Sequence, residues 1–98
     1  MKILMVCLGN ICRSPVAEGI MKQKAAKHGL EIDIDSAGTS GWHDGNSPDS
    51  RSIANSKKNG IDISLQKSRK VIVPDFKLFD RIYAMDDSNY KNLINLAP

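Results

Sequence analysis

A chain of 98 residues, 41% hydrophobic and 26% charged, is sized for a single globular domain with a modest core and is not a disordered or fibrous protein. Fourteen basic and eleven acidic residues leave a net charge of +3 with no block of like sign. That is too scattered for nucleic acid but able to draw anionic substrates.

The first element is Ile3-Leu4-Met5-Val6, a continuous apolar run that predicts a strand buried on both faces of a sheet. Downstream of the segment Cys7 to Ser14, Val16, Ala17, Ile20, Met21 and Ala25 recur at helical spacing, and Pro15 suits a first helical turn. This helix is expected to end at Gly29, with Lys27 and His28 complementing its negative end. Glu31-Ile32-Asp33-Ile34-Asp35 alternates as a half-solvated edge strand does, which completes a right-handed βαβ unit. Ser36 to Pro48 carries Gly38, Gly41, Gly45 and the only Trp, so it reads as a loop. Ser47-Pro48 predicts the start of a second helix running to Asn59, with Gly60 as its stop. Gly60 to Val73 permits either a short strand or a loop. Pro74 to Phe79 reads as a helical turn and Arg81 to Met85 as a third parallel strand with Tyr83 in the core. Asp87 is then a predicted N-cap for a helix whose apolar stripe is Tyr90, Leu93, Ile94 and Ala97.

Cys7 thus falls where a strand ends and Arg13 where a helix begins. Five residues separate them, enough to curl a loop whose backbone N–H groups point inward beside the free N–H groups of the helix start. Gly9 and Asn10 suit backbone angles closed to most residues. Arg13 offers a planar fork able to hold two phosphate oxygens. Amides, helix dipole and guanidinium together favour the thiolate of Cys7, and a Ser14 hydroxyl can donate to that sulfur. The predicted chemistry is attack of the Cys7 thiolate on a phosphate monoester, followed by hydrolysis of the thiophosphate. No membrane-length run or signal peptide is present, and two cysteines make no disulfide framework, so a reducing cytoplasm is expected. Cys7, Cys12, His28 and His43 lack metal-ligand spacing, so neither a metal nor a cofactor is expected.

The run Cys7-Leu8-Gly9-Asn10-Ile11-Cys12-Arg13-Ser14-Pro15 so close to the N-terminus resembles the phosphate loop of the low-molecular-weight protein tyrosine phosphatase family. Glu18, Ser36-Ala37-Gly38-Thr39 and Met85-Asp86-Asp87-Ser88-Asn89 extend the resemblance along the whole chain. It implies an α/β doubly wound parallel sheet, strand order 2-1-3-4, with helices on both faces and the active loop at the carboxyl end of the first strand. It implies Cys7 and Arg13 as catalytic residues, with Leu8, Gly9, Asn10, Ile11, Cys12 and Ser14 binding phosphate. Trp42 stands near the family's aromatic pocket wall, with Asn46 in the same loop; a buried anchor is the other reading of Trp42. Cys12 reads as packing, and the resemblance adds the trapping of an oxidised Cys7 as a reversible disulfide. Glu18 reads as a first-turn acid favourable to the helix dipole, with a supporting hydrogen bond to the loop as a further role. Expected partners are a phosphotyrosine protein or aryl phosphate, with inorganic phosphate as product and inhibitor.

The family's general acid lies in an Asp-Pro motif beyond the third strand, and no Asp-Pro pair of these 98 residues matches it. The fourth strand and last helix of the family are missing as well, so the chain is expected to be one C-terminally truncated domain over residues 1–98. Asp86 and Asp87 stand nearest to serve as a substitute acid; the plainer expectation is that one caps a helix and the other braces a loop. The alternatives are a thioredoxin-coupled arsenate reductase relative, which needs cysteines beyond Cys12 that are absent here, and a non-catalytic phosphate-binding fragment. A sugar-transport phosphocarrier has no use for Arg13 at this place.

Overall fold

The computed structural model describes residues 1–11 and 13–98. Its elements are β1 (Lys2–Cys7), α1 (Arg13–Lys27), β2 (Asp33–Gly38), α2 (Ser50–Lys58), α3 (Asp75–Leu78), β3 (Arg81–Ala84) and α4 (Asp87–Leu96). The strands form one parallel sheet in the order β2-β1-β3, so the apolar first run is the central strand. Its alternation feeds two cores. Leu4 and Val6 pack with Ala37, Val71 and Leu93 on one face, while Ile3 and Met5 pack with Ala25 and Ile34 on the other. A strand sandwiched in this way must be apolar on both sides, as Ile3 to Val6 is.

Several expectations need correction. β2 begins two residues later than the alternating pattern predicts and takes in Ser36, Ala37 and Gly38, which were read as loop. All three are buried, Ala37 in the apolar core and Ser36 and Gly38 against the Cys7 loop. Alternation alone sees only the water-facing half of the strand. α1 begins at Arg13, so Glu18 lies beyond the first turn, where the dipole falls away, and Ile20 is partly exposed off the stripe. α2 is capped by Asp49 rather than opened by Ser47, its carboxylate accepting the Arg51 and Ser52 N–H groups. Asp86, not Asp87, caps α4, accepting the Asn89 N–H at 2.8 Å. Of the two readings open for residues 60–73, the loop is the one observed: turns and irregular chain with a single parallel bridge from Lys70 to Gly38.

Tyr83 is 45% exposed, and so are Tyr90 and Ile94 to a greater extent, leaving Leu93 as the one stripe residue of α4 in the core. β3 pairs with β1 alone, so its outer edge carries no partner among the described residues. That open edge is why a tyrosine read as core meets solvent.

Candidate active site

The Cys7 sulfur is buried at the carboxyl end of the central strand, where the chain turns into α1. The loop that follows is shaped from outside. The carbonyls of Cys7 and Leu8 accept N–H groups of Thr39 and Ser40, both at 2.9 Å, and that of Ile11 accepts the Asp49 N–H at 2.6 Å. The Gly9 carbonyl accepts the Ser68 hydroxyl at 3.3 Å. With these carbonyls engaged outward, the Asn10 N–H points inward, to the Cys7 sulfur at 3.2 Å.

Asn10, fully buried, supplies the positive φ of +57° that the turn needs. Gly9 was expected to share that burden and does not. Its missing side chain instead makes room for His43, whose ring carbon would stand 3.0 Å from a Cβ there. Gly38 serves the loop from below, since a Cβ on it would lie 2.7 Å from the Leu8 carbonyl oxygen.

The partners of Asn10 fix which way its side-chain amide faces. Its side-chain carbonyl accepts the Arg69 N–H at 3.0 Å, so its amide nitrogen must face Ser14 and Ser36, at 2.8 and 3.0 Å. Ser36 passes its own proton to the buried Glu18 carboxylate at 2.6 Å, and Lys22 closes the chain by pairing with Glu18. Ser14, already accepting from Asn10, is hydrogen-bonded to the Cys7 sulfur at 3.0 Å, a contact in which either the hydroxyl or the thiol can donate. The Asn10 N–H donates to the same sulfur at 3.2 Å. Glu18 therefore braces the loop rather than the helix dipole.

Arg13 stands at the first position of α1 and donates from Nη2 to Asp86 at 2.9 Å and more loosely to Asn89 at 3.5 Å. Asn89 N–H first, and then the Arg13 guanidinium, hold the Asp86 carboxyl below the usual carboxylate range. Asp86 is thereby engaged twice, as the cap of α4 and as the partner of Arg13. A cleft of about 320 Å³ opens over the sulfur, lined by Cys7, Leu8, Gly9, Ile11, Arg13, Ser40, Trp42 and His43. Trp42 is 83% exposed, so it is no buried anchor. A hollow of about 420 Å³ lies elsewhere, between α1 and residues 60–66, and holds no nucleophile. Cys12 lies outside the described residues, and Asn46, exposed, does not line the cleft.

Ser40, His43 and Arg69 went unremarked or were read as plain loop residues. The Ser40 hydroxyl is buried without a partner among the described residues, and Ser40 lines the cleft. Only the Gly-rich setting of the loop signalled it.

Residues 2–98 match the family model described as low molecular weight phosphotyrosine protein phosphatase. The phosphatase of that name from Schizosaccharomyces pombe is 49% identical over 99% of this chain and 64% of its own length. A protein tyrosine phosphatase from Entamoeba histolytica superposes with a TM-score of 0.96 at 47% identity, over the whole chain and 64% of that structure. Wzb of Vibrio vulnificus, solved in complex with benzylphosphonate, is 28% identical with a TM-score of 0.90, over 99% of this chain and 66% of its own. The chain thus spans just under two thirds of the length of these relatives and belongs to the low molecular weight phosphotyrosine protein phosphatase family.

Proposed function

We propose that this chain hydrolyses phosphotyrosine and other aryl phosphate monoesters through a phosphocysteine on Cys7. The observation that carries the reading is the pair of hydrogen bonds, from the Asn10 N–H and with the Ser14 hydroxyl, converging on a buried sulfur at the mouth of a helix. Leu8, Gly9, Asn10, Ile11, Cys12 and Ser14 form the cradle for the phosphate oxygens, and Arg13 adds its planar fork from the rim. The sulfur attacks phosphorus, the S–P bond forms as the P–O bond to the aryl group breaks, and the aryl oxide departs. Water then attacks phosphorus, the S–P bond breaks, and the electron pair returns to sulfur, where the Ser14 hydroxyl stabilises it. Trp42 offers a face for the aryl ring at the cleft wall. The benzylphosphonate held by the Vibrio relative sets the same kind of group, a ring one atom away from phosphorus.

The substrate is a phosphotyrosine protein or a small aryl phosphate, with inorganic phosphate as product and competitor, and residues 1–98 act as one domain. No helix is long and apolar enough to cross a membrane. A nucleophilic thiolate calls for a reducing compartment, which favours the cytoplasm. With Asp86 engaged and no Asp-Pro motif in these residues, leaving groups that need a proton suffer most, by about 10²–10⁴-fold.

The test is 4-nitrophenyl phosphate against an alkyl phosphate. The expected outcome is a burst of one nitrophenol per chain, slow alkyl turnover, and loss of both in Cys7→Ser, on the order of 10⁴-fold or more. Equal rates on the two substrates, or turnover that survives Cys7→Ser, overturn the reading.

A further inference from the structure

We propose that Arg69 is a positioning residue for the reactive sulfur, acting through Asn10 and held in place by a two-carboxylate clamp of Asp35 and Asp75. The proposal rests on the phosphatase reading of the Cys7 loop. Arg69 sits in the turn-rich segment behind the cradle, and its main chain does the delicate work. Its N–H is the donor to the Asn10 side-chain carbonyl at 3.0 Å, and its carbonyl accepts the Gly38 N–H at 2.8 Å.

A main-chain amide in an irregular segment is only as well placed as whatever anchors that segment. Here the anchor is Arg69's own side chain. Nε and Nη2 donate to Asp35 Oδ2 at 3.3 and 3.2 Å, while Nη1 and Nη2 donate to the two oxygens of Asp75 at 3.0 and 3.2 Å. The second pair is the parallel fork that fixes orientation as well as distance. Asp75 is almost wholly buried and also accepts the Ile72 N–H at 2.9 Å, so it ties Arg69 to the start of α3. Asp35 ties it to β2, and through its other oxygen accepts the N–H of Ser36, itself a partner of Asn10. Burial works against the guanidinium's charge, but Asp75 and Asp35 outweigh it and raise its pKa above the ordinary value, so the clamp stays charged.

The consequence for the sulfur follows from counting donors. The Asn10 amide faces Ser14 because Arg69 N–H occupies its carbonyl end. Without that donor the amide has no reason to keep its orientation, and the Ser14 hydroxyl gains an alternative acceptor in the Asn10 carbonyl. The Ser14 hydrogen bond to Cys7 is then lost to it. Arg69 reaches the reacting atom only through two intermediaries, so it is a positioning residue and touches no substrate.

The experiment is site-resolved alkylation of Cys7 by iodoacetamide in the 98-residue protein, across about pH 5 to 9. Arg69→Met is expected to slow alkylation at the acid end by about tenfold and move the half-point of the profile upward by about one pH unit. Arg69→Lys, which keeps the charge but not the fork, recovers part of the shift. In an Asn10→Ala background the same Arg69→Met change has less than about a twofold effect, because the path is already cut. An unmoved profile in Arg69→Met, or additive effects with Asn10→Ala, overturns the proposal even where melting temperature falls. Should Arg69→Met fail to fold, Asp35→Asn, with its half-exposed carboxylate, carries the test, and a shift below about 1.5-fold counts against the clamp. A wild-type profile with its half-point in the alkaline range of an ordinary thiol overturns the phosphatase reading itself, which separates the two failures.

Discussion

The two edges of the sheet are built to different standards. On the β2 side the carbonyls of Cys7, Leu8, Gly9 and Ile11 are all engaged, and the side chains of Ser14, Asn10, Ser36 and Glu18 form an unbroken hydrogen-bonded chain. On the β3 side the sheet ends in open backbone, and Met5, Ala17, Met21, Tyr83, Ala84 and Met85 line a shallow apolar hollow. One region has no slack, and a single added atom disturbs it. The other has unspent apolar surface and tolerates change. The difference separates what holds the reactive sulfur from what merely completes the sheet, and substitutions on the two sides should behave accordingly.

The largest effect is expected at Gly38. Gly38→Ala puts a Cβ 2.7 Å from the Leu8 carbonyl oxygen, so the loop must shift. Turnover of 4-nitrophenyl phosphate should fall by about 10²-fold, as an ångström of misplacement commonly costs, while stability falls by about 1–3 kcal/mol. Undiminished turnover would mean the loop is not as tightly seated as its contacts indicate. Asp86→Ala should come next, with about a tenfold loss in kcat/KM as Arg13 loses its holder. Its pH dependence has a definite sign. The folded pKa of Asp86 lies below the unfolded one, so its contribution is whole above about pH 4 and drains as pH falls through the folded value. Melting temperatures of Asp86→Ala should therefore converge with wild type in acid and diverge towards neutrality. Smallest of all, Tyr83→Lys should leave turnover within about twofold while reducing concentration-dependent association in light scattering, because charge blunts an open strand edge.

Legibility in the sequence follows the same division. The strand–loop–helix junction was readable because its residues are consecutive: strand end, turn residues and helix start all fall between Cys7 and Ser14. β1, α1 and β3 were placed for a similar reason, each carrying its own periodicity. Ser36 and Gly38 were misread because they are buried for contact with the loop rather than for hydrophobicity, and no pattern of apolar residues announces that. Arg69 and Asp75 were invisible for a different reason. A lone Arg and a lone Asp read as surface, and the Asn10 and Asp35 partners of Arg69 lie 59 and 34 residues away. Tyr83 failed because burial depends on what lies beyond an edge, which a strand cannot encode for itself.

The outward-facing carbonyls of the cradle have a kinetic corollary. Their partners are contributed by Thr39, Ser40, Asp49 and Ser68, the last of them 59 residues distant from Gly9, so the nest has no existence in a collapsing polypeptide until those remote segments arrive. It should close late during refolding and open early under denaturant. An oxyanion in residence would then act as a clasp on the assembled molecule: orthophosphate at a hundred times its dissociation constant adds about 2.7 kcal/mol, enough for thermal-shift measurements to rank oxyanions without any turnover at all.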